Sequence, residues 1–216
     1  MNLTEGSRDV SPPKPASNTI LNIPNALTTA RFVLSVVVFV LIPLQQYGAA
    51  MIVFVIAAST DWIDGWWARK YGHVTKLGRI FDPFVDKIII CGTFIYLAAE
   101  TKSGIAPWMA VVVMGREMLV TAIRGVIEQQ GGDFSAQMAG KLKMVFQCVA
   151  VVASLLALSY WQQTWHLDLG SMSSASLPGW LFWTLRISVW LAVISTVYSG
   201  LEYVVAAARI LGKQGS

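Results

Sequence analysis

The sequence predicts an all-α membrane protein with six transmembrane helices. Two observations lead to this fold class. The chain has 216 residues, of which 55% are hydrophobic and only 13% are charged, whereas soluble globular domains carry about 25% charged residues. The hydrophobic residues also gather in six runs, and a helix needs about 20 such residues to cross the hydrocarbon core of a bilayer. Because lipid offers the backbone no hydrogen-bond partner, runs that cross it are expected to be helical.

The six runs are the elements of the predicted fold in chain order. They cover residues 25–45, 49–68, 84–99, 107–127, 142–161 and 180–206. The third run is the shortest, and Pro83 directly before it suits the start of a helix. Residues 1–19 are rich in Ser and Pro, a composition that predicts a disordered tail. The predicted domains are this tail, a membrane domain over residues 20–210, and a C-terminal tail over residues 211–216.

Basic residues predict the orientation of the spans. They lie before the first run, between the second and third, and between the fourth and fifth, at Arg8, Lys14, Arg69, Lys70, Lys76, Arg79, Lys141 and Lys143. All these positions fall on one side of a six-span protein, and the opposite loops hold Lys102 as their one clear basic residue. Because loops rich in Lys and Arg stay inside the cell, we expect a multi-pass protein of the cell membrane with both termini in the cytoplasm.

Four aspartates lie at the cytoplasmic ends of the second and third runs. Asp61 and Asp64 are three residues apart and Asp82 and Asp86 are four apart, so each pair lies on one helix face. Two pairs of like charges repel each other unless a cation lies between them. Carboxylate oxygens favour hard ions, and four carboxylates are enough for two ions. The cluster predicts a site for two Mg²⁺ or Mn²⁺ ions in a polar active-site cavity that faces the cytoplasm.

A simpler interpretation is that the aspartates cap helices or pair with cations at the membrane interface. The nearby cations are Arg69, Lys70 and Lys87. Asp82 directly precedes Pro83, an arrangement typical of an N-cap followed by proline. Two carboxylate pairs on facing helices exceed what capping needs, so metal binding is expected, and an N-cap role of Asp82 is compatible with it.

Small residues and one arginine lie between the two carboxylate pairs. Gly65, Ala68 and Gly78 leave room beside the aspartates for a flat nucleotide, although small residues in membrane helices also serve close helix packing. Arg69 offers a planar fork to phosphate oxygens, and it equally fits an ordinary cytoplasmic arginine. Both interpretations stay open for these residues.

The spacing of these residues resembles the signature of the CDP-alcohol phosphatidyltransferase family. All eight fixed positions are present, at Asp61, Asp64, Gly65, Ala68, Arg69, Gly78, Asp82 and Asp86. The resemblance implies that a CDP-linked lipid, CDP-diacylglycerol, donates its phosphatidyl group to an alcohol and that CMP leaves. It covers the six-span layout as well as the signature. It also implies a homodimer, and nothing in the sequence indicates a nucleic acid as partner.

The resemblance assigns roles to the signature residues. It implies that Asp61, Asp64 and Asp82 hold two metal ions. Asp86 would lie near the second ion and act as the base for the incoming hydroxyl. The residues implied to contact the cytidine and diphosphate are Gly65, Ala68, Arg69 and Gly78.

The start of the first run carries a further candidate for nucleotide binding. Asn25, Thr28 and Arg31 recur every three residues and therefore share a helix face. One interpretation is capping together with anchoring at the membrane interface. The similar opening in one branch of the family implies that Asn25, and with it Arg31, helps to hold the nucleotide.

Cations in the fourth and fifth runs bear on the acceptor alcohol. Arg116 lies inside the fourth run, and Arg124 follows about two helical turns later on the same side. Lys141 and Lys143 open the fifth run. Cations that face a cavity holding an anionic substrate suggest recognition of a second phosphate. Arg116, Arg124 and Lys141 are the predicted ligands of that phosphate.

The alternative for Arg116 is simple ion pairing with Glu117 or Glu128. The segments 116–124 and 140–143 nevertheless resemble the phosphatidylglycerophosphate synthase branch of the family. This resemblance implies glycerol 3-phosphate as the acceptor and phosphatidylglycerol phosphate as the product. Met144 departs from the branch, which commonly has a hydroxyl residue there, and this weakens the inference around Lys143.

Other functions remain open from the sequence. A cardiolipin synthase would use phosphatidylglycerol and would need an open lateral groove rather than a compact basic pocket, and inositol phosphate is a further possible acceptor. A divalent-cation transporter would line a transport path with the aspartates. Such a path needs polar residues at several depths, whereas the polar residues here crowd the cytoplasmic half, and no paired broken helices are apparent.

Overall fold

The computed structural model describes residues 23–71, 76–129, 138–167 and 177–214. Within these ranges it describes the backbone alone for residues 23–27, 61–71, 76–83, 86, 128–129, 138–141, 165–167 and 210–214. The described residues form six α-helices and no strand. The prediction of an all-helical fold is therefore confirmed.

Each predicted hydrophobic run coincides with one helix, except that α1 ends at Leu41 and residues 42–45 of the first run form a turn. The helices are α1 (Ile23–Leu41), α2 (Tyr47–Tyr71), α3 (Lys76–Ala99), α4 (Pro107–Gln129), α5 (Met138–Leu167) and α6 (Gly179–Gln214). The largest extensions beyond the runs occur at the beginning of α3, at both ends of α5 and at the end of α6. These extensions carry polar and charged residues, which continue a helix without contributing to a hydrophobic run.

The beginning of α3 differs from the prediction. The helix starts at Lys76, so Asp82 and Pro83 lie inside it and not at its first turn. The interpretation of Asp82 as an N-cap is therefore wrong. The reason is that the first turns of α3 contain Lys76, Arg79 and Asp82 among apolar residues. Because charged residues interrupt the apolar pattern in such an amphipathic segment, a continuous apolar run does not include it.

Packing contacts among the described residues arrange the six helices in a ring. α1 packs against α2 and α3, α4 packs against α3 and α6, and α5 packs against α2 and α6. α5 also contacts α3, so these two helices meet across the ring. The arrangement brings α3, which carries two of the predicted metal ligands, next to α4 and α5, which carry the cations predicted to bind the acceptor.

The surface of the bundle is apolar and several of its interior positions are polar. Large hydrophobic side chains are exposed on every helix, among them Val33, Ile52, Ile95, Val111, Val145, Trp180 and Leu201. Buried polar side chains include Thr28, Ser35, Thr93, Gln147, Ser154, Thr196 and Ser199. A soluble protein distributes the two classes the other way round, so this surface fits contact with lipid chains.

Two described helical segments are long and apolar enough to cross a membrane. They are Leu142–Thr164 and Gly179–Arg209. Shorter apolar helical segments are found at Thr28–Leu41, Tyr47–Thr60 and Lys87–Ala99. Length and composition alone thus indicate two spans within the described residues.

The loop between α3 and α4 closes the end of the bundle that lies away from the aspartates. Glu100 accepts a hydrogen bond from the hydroxyl of Tyr47 at the start of α2, and burial together with this contact raises the pKa of Tyr47 to about 12. Ser154 of α5 donates a hydrogen bond to the carbonyl oxygen of Ser103, at 2.6 Å. The loop therefore ties α2 and α5 to the α3–α4 connection and fixes the far end of the bundle.

A close approach of α1 and α3 depends on Gly92. A Cβ at this position would lie 2.7 Å from Cε1 of Phe39, which is closer than real Cβ contacts allow. The ring cannot easily move away, because it stacks on Tyr96 with a centroid distance of 5.4 Å. We expect Gly92→Ala to destabilise the protein by about 1–3 kcal/mol, as overpacking does, and to lower the thermal midpoint measured in detergent.

Gly115 provides the matched control for this prediction. It lies in α4, where a Cβ would meet nothing within 4 Å. Gly115→Ala replaces a glycine inside a helix by a better helix former without creating a clash. It should therefore leave the thermal midpoint unchanged or raise it slightly. Equal midpoints for the two variants would contradict the role of Gly92.

Candidate active site

The four predicted metal ligands lie in two helices. Asp61 and Asp64 belong to α2, and Asp82 and Asp86 belong to α3. Because these stretches are helical, spacings of three and four residues keep the members of each pair on one helix face. Their side chains lie outside the described part of the structure, so their role as ligands remains a prediction.

Most of the other predicted site residues also have side chains outside the described part. They are Asn25, Gly65, Ala68, Arg69, Gly78 and Lys141. Among the side chains that are described, no group of three or more His, Cys, Asp or Glu residues could hold a metal ion. The four aspartate side chains lie outside this described set, and the metal site stays a prediction.

The described part of the site begins one residue after Asp86. Lys87 of α3 donates a hydrogen bond to the hydroxyl of Thr121 in α4. That hydroxyl in turn donates to the carbonyl oxygen of Glu117, at 2.6 Å. α3 is thus joined to α4 directly beside the predicted base and one helical turn from Arg116 and Glu117.

Arg116 and Arg124 converge on one aromatic ring in α6. The guanidinium carbon of Arg116 lies 5.3 Å from the ring centre of Tyr203, and that of Arg124 lies 6.0 Å from it. Arg124 Nη2 also donates a hydrogen bond to the Tyr203 hydroxyl, at 3.2 Å. Tyr203 is buried, so both cation–π contacts are partly desolvated and worth more than on a surface. Two like charges held near one buried ring favour a bound anion.

In both arginines the Nε–H donor is buried and has no hydrogen-bond partner. Arg116 donates from Nη1 to Glu117, at 3.3 Å, and from Nη2 to Ser199. Leaving a charged donor unpaired in a buried site is expensive. An anionic group such as a phosphate would stabilise either donor.

Close approach of α4 and α6 permits this arrangement. A Cβ at Gly200 would lie 3.2 Å from Cγ of Arg116, so a larger residue there would require the arginine stem to shift by a few tenths of an ångström. Ser199 and Tyr203 flank this position on α6. The small residue thus lets the stem of Arg116 lie directly against the α6 backbone.

Ion pairing occurs alongside the unpaired donors. Glu117 pairs with Arg116 in α4 and with Lys143 in α5. Gln147 of α5 donates to the hydroxyl of Thr196 in α6, at 2.9 Å. Polar contacts therefore link α4 to α5, α5 to α6, and α6 back to α4. The two interpretations of Arg116 are compatible, since its Nη1 serves the ion pair while its Nε remains available.

Sequence reasoning missed the residues of α6 that contact Arg116, Arg124 and Gln147. Thr196, Ser199 and Tyr203 follow one another at spacings of three and four, which places them on one helix face. They lie in the sixth hydrophobic run, which predicts a membrane span and no site residue. The regular recurrence of polar side chains along one face of that run was the available signal.

Fold and site together define a class of protein, namely a helical bundle with a lipid-compatible surface and a cluster of largely buried cationic side chains between α4 and α6. The chain belongs to the CDP-alcohol phosphatidyltransferase family, whose sequence model matches residues 21–198. The family resemblance stated from the signature is thus confirmed, and so is the prediction that the protein is a transferase enzyme.

Relatives from three bacteria carry the name CDP-diacylglycerol–glycerol-3-phosphate 3-phosphatidyltransferase. The chain is 34% identical to the protein of Bacillus subtilis (strain 168) over 201 residues, covering 85% of this chain and 94% of the relative. It is 31% identical to the protein of Rickettsia typhi over 186 residues, covering 84% and 94%. It is 31% identical to the protein of Escherichia coli (strain K12) over 145 residues, covering 65% and 80%.

Proposed function

We propose that this protein is a CDP-diacylglycerol–glycerol-3-phosphate 3-phosphatidyltransferase. It would transfer the phosphatidyl group of CDP-diacylglycerol to glycerol 3-phosphate and form phosphatidylglycerol phosphate and CMP. The observation that carries the choice of acceptor is the pair of buried arginines, Arg116 and Arg124, with unused Nε donors. The names of the relatives support the same reaction.

The acceptor phosphate matches the chemistry of the pocket. A phosphate monoester carries a charge of about −1.5 to −2 near neutral pH and three strong acceptor oxygens. Arg116 and Arg124 each offer an unpaired N–H, and guanidinium groups bind such oxygens more strongly than neutral donors do. Lys141 at the start of α5 would add a third cation. A serine or inositol acceptor without a phosphate would leave these donors unsatisfied.

The carboxylate cluster fits hard divalent ions. Asp61, Asp64, Asp82 and Asp86 supply only oxygen ligands, which suit Mg²⁺ and Mn²⁺, and helical spacing keeps each pair on one face. These residues would hold two ions, which when bound would neutralise negative charge on the diphosphate of the donor.

Asp86 would move the proton of the reaction. Its carboxylate would accept the proton of the acceptor's primary hydroxyl while that oxygen forms a bond to the lipid-linked phosphorus. The bond between this phosphorus and the oxygen of CMP breaks, and CMP leaves with the electron pair. Lys87 follows Asp86 directly and ties α3 to Thr121 of α4, so the base and the acceptor pocket are anchored to each other.

The donor nucleotide would occupy the space between α1, α2 and the start of α3. The residues proposed to contact it are Asn25, Gly65, Ala68, Arg69 and Gly78. The small residues would let the cytidine approach the backbone, and Arg69 would offer its fork to the diphosphate.

The same proposal includes the membrane arrangement. Six spans within a domain over residues 20–210, a cytoplasmic active-site cavity, and tails at 1–19 and 211–216 agree with the distribution of basic residues. The apolar surface of all six helices supports this arrangement, and α6 continues to Gln214, into the second tail. Family membership leads us to propose a homodimer in the cell membrane.

An acceptor screen tests the proposed function. Purified protein in detergent, with CDP-diacylglycerol and Mg²⁺, is offered labelled glycerol 3-phosphate, inositol, inositol phosphate, serine and phosphatidylglycerol separately. We expect lipid label from glycerol 3-phosphate alone, its loss in chelator, and its return with added Mg²⁺ or Mn²⁺.

Each other outcome of the screen has a definite meaning. Label from phosphatidylglycerol would indicate a cardiolipin synthase, and label from inositol phosphate would replace the acceptor while keeping the metal mechanism. Activity that persists in chelator would overturn the metal site. No label from any acceptor, together with uptake of divalent ions into proteoliposomes, would favour a transporter.

A further inference from the structure

Glu117 contacts two cations from different helices. Its Oε1 accepts a hydrogen bond from Arg116 Nη1 at 3.3 Å and forms an ion pair with Nζ of Lys143 in α5. The side chains of Arg116 and Glu117 are 8% and 12% exposed, so water and salt screen these charges only weakly. One carboxylate thus joins a cation of α4 to a cation of α5.

The contact with Glu117 restricts the orientation of Arg116. Nη1 is held by Glu117, and Nη2 donates to Ser199 on α6. A planar guanidinium held at both terminal nitrogens cannot rotate freely. The N–H at Nε lies in the same plane, is buried and has no hydrogen-bond partner, and it is therefore kept pointing in one direction.

We infer that Glu117 is a positioning residue, which orients Arg116 toward the phosphate of the acceptor. The inference deepens the proposed function and rests on it, because it concerns the same pocket. Glu117 would act through the guanidinium and would not contact the reacting atoms. An anionic residue beside a phosphate site lowers the local positive charge, and on this inference the orientation that Glu117 gives to Arg116 outweighs that cost.

The competing explanation is that Glu117 merely neutralises Lys143. A buried cation without a partner is costly, and Lys143 is buried. The places of α4 and α5 in the bundle do not depend on this pair, because both helices pack against α6 and Gln147 of α5 separately bonds Thr196 of α6. Removing Lys143 should therefore leave the bundle intact, and the two roles of Glu117 can be separated by substitution.

A double-mutant cycle tests the inference through the KM for the acceptor. Glu117→Gln is measured in the unaltered protein and again in a Lys143→Met background. We expect Glu117→Gln to raise the KM for the acceptor about tenfold in both backgrounds, which corresponds to one charge-assisted hydrogen bond. The KM for CDP-diacylglycerol should change less than about twofold. An effect of Glu117→Gln that disappears in the Lys143→Met background would overturn the inference.

Further variants separate positioning from folding. Glu117→Asp keeps the charge that Lys143 requires but shortens the reach toward Arg116, so it should retain the thermal midpoint while raising the acceptor KM several-fold. If Glu117→Gln does not fold, the cycle is run with Glu117→Asp. Glu100→Gln is the isosteric control, because Glu100 contacts Tyr47 at the opposite end of the bundle and should leave both KM values unchanged.

The choice of acceptor keeps this test independent of the proposed function. The cycle uses whichever phosphorylated acceptor the unaltered protein turns over. A phosphorylated acceptor other than glycerol 3-phosphate would overturn the proposed reaction and leave the role of Glu117 to be decided by the cycle. An acceptor without a phosphate would overturn both.

Discussion

Asp86→Asn is expected to reduce turnover about 10²–10⁴-fold, because this is the contribution of a general base to such reactions. Asparagine keeps an oxygen that can contact a metal ion but cannot accept the proton of the acceptor hydroxyl. Binding of CDP-diacylglycerol should therefore survive. The measurement pairs formation of labelled lipid from glycerol 3-phosphate with binding of labelled CDP-diacylglycerol to the purified variant in the presence of Mg²⁺.

Asp61→Asn is the comparison that distinguishes loss of a metal ligand from loss of the base. Asp61 is proposed as a metal ligand and not as the base, so its substitution should weaken donor binding together with turnover. Glu100→Gln changes a carboxylate at the other end of the bundle and should leave both measurements as they are. If Asp86→Asn retains turnover, another group must accept the proton, and the proposed role of Asp86 would be that of a metal ligand only.

The helices could be predicted from the sequence because lipid-facing and core positions are both apolar. The run around Phe94 and Leu97, for example, is hydrophobic whether a residue points inward or outward, so it stands out without any knowledge of packing. The same criterion failed at the start of α3. Lys76, Arg79 and Asp82 interrupt the apolar pattern there, although the helix continues through them.

The pocket could be predicted only in part. The eight-residue interval between Arg116 and Arg124 indicated one side of a helix, and the structure brings both side chains to the same ring. Their partner, Tyr203, lies 79 residues after Arg124. Spacing along a chain carries no information about which helix packs opposite, and the link between α4 and α6 is a property of the helix ring. The recurrence of Thr196, Ser199 and Tyr203 therefore indicates a polar face of α6 but not the helix that this face contacts.

Arg116 and Arg124 together should control use of the acceptor. Each guanidinium is expected to contribute one charge-assisted hydrogen bond worth about 1.5–3 kcal/mol, so Arg116→Met/Arg124→Met should lower kcat/KM for glycerol 3-phosphate about 10³-fold. The loss should appear mainly as a higher KM for this substrate, with the KM for CDP-diacylglycerol nearly unchanged. Initial rates over a range of both substrates measure the two effects separately.

Two smaller changes identify the part of the pocket that matters. Tyr203→Phe keeps the ring under both cations and removes only the hydroxyl that accepts from Arg124, so it should change the acceptor KM only a few-fold. Arg116→Lys retains the positive charge. A lysine ammonium cannot bond both Glu117 and Ser199 and still present a third N–H in the same plane, as a guanidinium does. Arg116→Lys should therefore show little more activity than Arg116→Met. If lysine restores full activity, positive charge alone is sufficient, and neither the unpaired Nε nor its orientation by Glu117 determines acceptor recognition.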